Sequence, residues 1–263
     1  GLVSVASGCF AAYATNLWVT SGKSPSASAT IQTGASDFTL WAQNAYVGYD
    51  QDGCQVRGEI DASASTNASV VLGTLRMGYA SSGSYSFFGR LALGRGEGTV
   101  ESLYMGVGAD PVEGLRSSRL ELSGFELAVA TRLEVRRSGR IQVEAVGKSA
   151  GPAIASTASL IFTDARTTES GPGVDIVFAP LPEGVRRATA SSHDAILWGF
   201  KWAGDHVADI GTQIDDGKVA YDTSALDSAT ADATGVFYDA ATDATYIGLY
   251  VRTAQDPLLV IVR

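Results

Sequence analysis

The chain has 263 residues, of which 45% are hydrophobic and 18% charged, and its net charge is −9. It is long enough to bury a sizeable core, too apolar for a disordered chain and, with 30 glycines, unlike a helical protein in composition. The acidic balance argues against a nucleic-acid partner and an electrostatic membrane anchor, and no apolar run reaches the roughly 18 residues of a transmembrane helix.

The N-terminal quarter contains both cysteines, Cys9 and Cys54. A disulfide between them would fit an exported protein, and two buried thiols are the alternative. The chain begins with Gly1 rather than Met, which we interpret as a processed or trimmed form. We therefore expect a secreted protein with an extracellular or cell-surface location.

Short apolar–polar–apolar units recur along the first two thirds of the chain, and each is typical of one strand pleat with two inward side chains. A first series starts at Leu17, Ala45, Leu75, Leu103, Leu133 and Leu160, in steps of 28, 30, 28, 30 and 27 residues. A second series starts at Ile31, Ile60, Leu91 and Leu120, in steps of 29, 31 and 29 residues. Both series share a period near 29, which indicates an internal repeat.

The repeat predicts an all-β fold, a right-handed parallel β-solenoid over residues 1–180. Each turn would take about 29 residues, with inward Leu, Ile, Val and Met stacked on the same positions of neighbouring turns and Gly at the corners. The alternative is an antiparallel β-sandwich or jelly roll, which also produces apolar–polar–apolar units.

Several of these units resemble the repeats of bacterial autotransporter passenger domains and of surface proteins with autotransporter-associated strand repeats. The clearest are Gly89–Val100, which reads GRLALGRGEGTV, and the units in Ser118–Gly124 and Leu133–Val143. The resemblance covers about residues 70–165 and is interrupted by Ala109–Ser117, which has the character of an inserted loop. It implies export and a structural or adhesive role, without a catalytic site.

The composition changes near Ala179–Pro182, which contains two prolines. Residues 1–180 carry 13 basic and 16 acidic residues, a net charge of −3, whereas residues 181–263 carry 6 and 12, a net charge of −6. We predict that residues 181–263 form a β-rich C-terminal cap or small domain, with a short helix over Asp205–Ile214.

Neither histidine predicts a catalytic centre. His193 and His206 each neighbour an aspartate, but adjacent residues on a strand point to opposite faces, and no G-x-S-x-G elbow is present. Acidic side chains could bind Ca²⁺ through oxygen, although their spacing lacks a calcium-loop motif and aspartates also favour turns. The aspartates concerned are Asp215, Asp216, Asp222, Asp227, Asp232, Asp239 and Asp243. We expect no cofactor.

Two other groups of side chains are candidates for binding. The aromatic rings could stack on sugars or could instead fill the core and the cap. The rings concerned are Trp41, Tyr46, Tyr49, Trp198 and Trp202, together with Trp18. The second group is basic, Arg132, Arg136, Arg137 and Arg140, and fits a solvated face with ion pairs between turns better than a site for an acidic polymer.

The leading functional hypothesis is a non-enzymatic extracellular protein with a structural or adhesive role, such as a surface-layer or filament subunit. Strands at the ends, in Gly1–Val5 or Leu258–Val262, would pair with neighbouring copies. One alternative is a glycan-binding module or a polysaccharide lyase or hydrolase, and another is a virion surface or tail protein.

Overall fold

The computed structural model consists of two long, mainly parallel β-sheets that enclose one hydrophobic core. It describes residues 1–22, 26–50, 55–80, 87–106, 118–136, 139–144, 154–156, 159–162, 174–178, 185–187, 199–222, 234–240, 242–249 and 251–253. The fold is therefore the predicted β-solenoid, and the antiparallel sandwich is wrong.

The twenty described strands are numbered along the chain. Sheet A contains, in spatial order, β1 (Leu2–Val5), β3 (Ser26–Thr33), β5 (Gln55–Ala62), β7 (Phe87–Leu93), β9 (Ser118–Ser123), β11 (Gly139–Glu144), β14 (Val174–Phe178) and β17 (Val219–Asp222). Sheet B begins with β2 (Cys9–Gly22), β4 (Asp37–Asp50), β6 (Asn67–Ala80), β8 (Gly96–Met105) and β10 (Phe125–Val135). It continues through β12 (Ile154–Ser156), β16 (Gly199–Ala203), β19 (Ala244–Leu249) and β18 (Thr234–Asp239), while β13 (Ser159–Phe162) also pairs with β10. A separate pair joins β15 (Val185–Arg187) to β20 (Val251–Thr253).

The pairing register confirms the repeat residue by residue. Every step of the first predicted series, from Leu17 to Leu160, joins residues that are paired directly in sheet B. Every step of the second, from Ile31 to Leu120, does so in sheet A. Because inward side chains of each turn stack on the same position of the next, core residues such as Leu75, Leu91 and Leu103 are at most 1% exposed.

The first four strands of sheet B bend near or just past their C-terminal ends, at one equivalent position. That position is occupied by Thr20, Gly48, Gly78 and Gly106, all with left-handed φ between 52° and 71°. At Gly48 a Cβ atom would lie 2.0 Å from the carbonyl oxygen of Phe88. At Gly48 the bend therefore needs both the conformational freedom and the small size of glycine, whereas Thr20 occupies the equivalent position in the first turn.

The C-terminal part joins both sheets. β16 extends sheet B in parallel, β19 and β18 then close it in antiparallel fashion, and β17 extends sheet A. Between β16 and β17 lies α1 (Val207–Asp215), which confirms the predicted short helix and buries Ile210. Neither sheet is interrupted at the sequence boundary near residue 180, since strands from both sides of it are paired.

The structure does not support the predicted disulfide between Cys9 and Cys54. Cys9 is a free, exposed thiol at the start of β2, and Cys54 lies outside the described residues. Gln55, the next residue, pairs with Ser26, which follows the end of β2 by four residues. Cys9 begins the 14-residue β2, whereas Gln55 pairs with a strand that starts beyond the far end of β2, so these two residues lie at opposite corners of the coil.

Candidate functional site

The outer face of sheet B carries a column of aromatic rings and one arginine. Trp18, Tyr46, Arg76 and Tyr104 each follow a core residue of the first series and are paired in register on successive strands. The rings of Trp18 and Tyr46 stack with centres 3.9 Å apart and planes within 5°. The Arg76 guanidinium lies 5.5 Å from the centre of the Tyr46 ring and 5.3 Å from that of Tyr104. We call this column the aromatic–arginine ladder.

A second column reinforces the ladder. Tyr49 and Tyr79 are paired in register and stack with ring centres 5.2 Å apart. Tyr49 also contacts Trp18 and Tyr46 at tilted angles, and Arg76 lies 5.7 Å from the Tyr79 ring. Tyr46 therefore has Trp18 and Arg76 against it, and Tyr49 is packed among three rings. These two predicted sugar-stacking rings are thus engaged in contacts that join turns of the coil.

Trp41, the third predicted stacking ring, lies apart from the ladder in a groove on the same outer face. Trp41 is 40% exposed and contacts no other ring in the described part of the chain. The groove has a volume of about 600 Å³ and crosses β4, β6, β8 and β10. We define this Trp41 groove by Trp41, Gln43, Val71, Gly73, Thr99 and Glu101.

The remaining two predicted rings do not join this surface. Trp202 is only 7% exposed and stacks on His206, with ring centres 3.5 Å apart, so it belongs to the core of the C-terminal part. Trp198 lies outside the described residues. The rings proposed from sequence therefore do not form one platform, because their inward or outward direction depends on the register of each strand.

Sheet A carries a bridge of charges across several turns. The Arg90 guanidinium donates to the Asp61 carboxylate at 2.8 Å and to the Glu121 carboxylate at 2.6 Å. Burial, the largest single influence, raises the pKa of Asp61, but hydrogen bonds from Ser63 and Arg90 together outweigh it, so the pKa is lowered. Since each acid is on a different strand from Arg90, the bridge joins β5, β7 and β9.

The predicted basic cluster is organised around one buried acid. Glu134 is 2% exposed and accepts hydrogen bonds or ion pairs from Arg132 at 2.6 Å and from Arg136 at 2.5 Å. All three lie on or next to the same strand, β10, so these ion pairs run along a strand rather than between turns. Arg137 lies outside the described residues. Two of the three described arginines of the cluster are thus paired with Glu134.

The histidine and aspartate candidates form no metal or catalytic centre that the structure describes. His206 Nδ1 lies 3.1 Å from Asp209 Oδ2 and its Nε2 3.0 Å from the Ala203 carbonyl oxygen. Within the described ranges, no group of three or more metal-binding side chains lies close enough together to hold an ion. His193, Asp227 and Asp232 fall outside those ranges.

The nine-residue α1 is too short to cross a membrane, and no longer apolar helix occurs in the described part of the chain.

The N-terminal edge, formed by β1 and β2, is an open end of both sheets. Among the described strands, β1 pairs only with β3 and β2 only with β4. Leu2 is 67% exposed, Val3 52% and Tyr13 72%. Inward side chains on β2, such as Phe10, are only partly buried, whereas the partner of Phe10 one turn further in, Phe38, is 1% exposed. This edge therefore leaves backbone groups and apolar surface uncovered.

Comparison of the chain with protein-family models, with curated proteins and with solved structures finds no significant match. The resemblance to autotransporter-associated repeats therefore stays a prediction, drawn from the repeat units alone. What the structure adds is geometric: a ladder, a groove and an open edge on one solenoid.

Sequence reasoning missed several residues of these surfaces. Arg76, Tyr79 and Tyr104 were not singled out, and neither were Gln43 and Glu101 of the groove. The signal for the ladder was present, because its members follow the first series by one residue and so share its steps of 28, 30 and 28. The groove had no such signal, since it forms where two consecutive residues of each strand point outward.

Proposed function

We propose that the protein is a non-enzymatic structural or adhesive component of the cell exterior that associates with further copies of itself through its N-terminal edge. The observation that carries this proposal is the chemistry of that edge. Residues 1–22 contain no Asp, Glu, Lys, Arg or Pro. Soluble β-proteins usually protect an edge strand with charge, proline or a short length, and β2 is 14 residues long.

The energetic reason for association is the incomplete burial of the first turn. A second copy that pairs along β2 would satisfy the outer backbone groups and cover the half-buried row that includes Phe10 and Leu17. The exposed face of Trp18 ends the ladder at the same edge and would gain a stacking partner. At the other end, α1 packs against β17 and β18, which are only four and six residues long. The N-terminal edge is thus the better surface for pairing.

The location outside a cell is supported by the resemblance of the repeats to exported bacterial proteins and by a low content of charged residues. Labelling of intact source cells with a membrane-impermeant reagent tests it: modification of the protein supports the location, and protection until lysis overturns it. A virion surface or tail role would instead place the protein in purified particles.

A second proposed role, glycan binding, is favoured by one observation, the Trp41 groove.

Self-association is tested with two matched double variants. Leu2→Lys with Tyr13→Lys places two charges on exposed positions of the edge strands. Ser69→Lys with Val71→Lys places the same two charges on exposed positions of β6, an internal strand of sheet B. Sedimentation velocity over a concentration series measures the assembly state, and thermal unfolding checks the fold of each variant.

We expect the wild type and the β6 variant to form dimers or longer assemblies and the edge variant to be monomeric, because lysine cannot be desolvated at a paired edge. Dimers would indicate edge-to-edge pairing, and filaments in electron micrographs head-to-tail stacking. A wild type that stays monomeric at high concentration, or an edge variant that assembles like the wild type, would overturn the proposal.

A further inference from the structure

The Trp41 groove lies on the outer face of sheet B and begins on β4, the strand next to the edge strand β2. Along each strand, its residues precede those of the aromatic–arginine ladder. We propose that this groove binds a neutral polysaccharide chain, laid across the strands along the axis of the solenoid. The inference does not depend on self-association, since the groove is formed by β4, β6, β8 and β10 of a single chain.

The groove exists because the alternation of inward and outward side chains shifts by one residue there. On β4, Ala42 and Ala45 point into the core, so the two residues between them, Gln43 and Asn44, both point outward. On β6 the corresponding position is Gly73, where a Cβ atom would lie 2.5 Å from the Gln43 carbonyl oxygen. The missing side chain keeps the floor of the groove open between Gln43 on one strand and Glu101 on the next but one.

The dimensions fit several sugar units. Four adjacent strands spaced by about 4.8 Å give a floor on the order of 14 Å long. A second hollow of about 370 Å³ adjoins it, since Val71 and Thr99 line both. The strand spacing is close to the length of one hexose in an extended chain, so equivalent positions on successive strands would meet successive sugars.

The lining has the chemistry of a sugar site. Trp41 offers an exposed ring that can cover the apolar face of a pyranose. Gln43, Thr74 and Thr99 supply uncharged donors and acceptors for hydroxyl groups. Glu101, an exposed acid, is the single charged side chain among the described lining residues. A negatively charged polymer would be repelled rather than attracted, so the ligand is neutral.

The test measures binding of neutral hexasaccharides by isothermal titration calorimetry, with β-1,4-linked glucose, xylose and mannose oligomers as probes and a galacturonate hexamer as the acidic comparison. Trp41→Ala removes the ring at an exposed position, and Tyr13→Ala removes a more exposed ring, 72% against 40%, that is paired with Trp41 but does not line the groove. Thermal unfolding of both variants confirms that each is folded.

We expect at least one neutral hexamer to bind, Trp41→Ala to weaken it at least about tenfold, and Tyr13→Ala to leave it within about twofold. The Ser69→Lys/Val71→Lys variant should also lose sugar binding, because Val71 lines the groove, while it still self-associates. The Leu2→Lys/Tyr13→Lys variant should keep sugar binding and lose self-association. Absence of binding by every neutral probe at about 10 mM, unchanged affinity in Trp41→Ala, or equal affinity for the galacturonate hexamer would overturn the inference.

Discussion

The repeated bend in sheet B, at Thr20, Gly48, Gly78 and Gly106, gives the sharpest test of the architecture. The substitution that tests it is Gly48→Ala. Gly48 has φ of 71°, and its Cβ would lie 2.0 Å from the Phe88 carbonyl oxygen on a strand of sheet A. The left-handed conformation costs an L-residue about 1–2 kcal/mol. Displacing the Phe88 backbone adds an overpacking cost of about 1–3 kcal/mol. We expect Gly48→Ala to lower the free energy of unfolding by roughly 2–5 kcal/mol.

Thr20 shows what a larger residue requires in the same column. It has φ of 69°, and its hydroxyl donates a 2.8 Å hydrogen bond to the Arg57 carbonyl oxygen, which is the equivalent of Phe88 one turn earlier in sheet A. Thr20→Gly loses that bond, about 1 kcal/mol, but relieves backbone strain of similar size. We therefore expect its stability to stay within about 1 kcal/mol of wild type.

The assay is thermal unfolding followed by circular dichroism, where each kcal/mol is worth about 2–4 °C for a chain of this size. Gly211→Ala is the control, because Gly211 lies inside α1 with nothing within 4 Å of its Cβ position. Helix propensity predicts that this change stabilises the protein by up to about 1 kcal/mol. If Gly48→Ala were as well tolerated as Gly211→Ala, the close packing of the two sheets at the bend would be refuted.

Three further predictions concern side chains that join turns or line an edge. Arg76→Met should destabilise the protein by about 1–2 kcal/mol, measured by urea denaturation, because three rings lose their cation. The bridge from Arg90 to Asp61 should weaken as pH falls below about 4, through the lowered pKa of Asp61, and Asp61→Asn should flatten that loss in thermal unfolding against pH. The Cys9 thiol should react with a maleimide without prior reduction, and Asp37→Asn should accelerate the reaction at neutral pH.

Each of these has a result that would contradict it. Arg76→Lys keeps the cation and should recover part of the loss, so equal instability of the two Arg76 variants would argue for lost packing instead. A carboxyl group whose pKa is lowered by folding adds stability at pH values above its unfolded-state pKa and loses that contribution as the pH falls. A steeper loss of stability in acid for Asp61→Asn than for the wild type would contradict this assignment. Hydrogen bonding to Asp37, followed by its charge, raises the pKa of Cys9, so slower labelling in Asp37→Asn, located by peptide mapping, would exclude this cause.

The repeat could be predicted from sequence because burial imposes the same requirement on every turn. Leu75, Leu103 and Leu133 are each enclosed by the turns above and below them, so the apolar pattern recurs with the period of the coil. The short helix could also be predicted from sequence, because Asp205 is a residue type that favours the start of a helix. In the structure its carboxylate accepts a hydrogen bond from the Val207 N–H at 3.3 Å. These features depend on local pattern and burial alone.

The candidate surfaces were harder to predict from sequence because they depend on which face of the sheet a side chain occupies. Trp202 and Trp41 are both tryptophans on strands of sheet B, yet one is buried against His206 and the other lines a groove. The bend between Ala42 and Ala45 changes the alternation by one residue, and composition gives no sign of it. The disulfide was predicted from the position of both cysteines in the N-terminal quarter, which takes no account of the 14-residue strand that follows Cys9.

Over the turns from β1 to β11, the two corners of the coil differ in the lengths of their connections. As far as β10, the connections from sheet A to sheet B have between one and four residues, at 6–8, 34–36, 63–66, 94–95 and 124, and the next one, 145–153, has nine. From sheet B to sheet A it uses between three and twelve, at 23–25, 51–54, 81–86, 106–117 and 136–138. The longest of these connections joins β8 to β9, and β9 nevertheless pairs in register with β7, Gly89 opposite Ser118. One side of the rod is therefore a natural place to graft foreign peptides for display, because added chain there leaves the stacking of every turn unchanged.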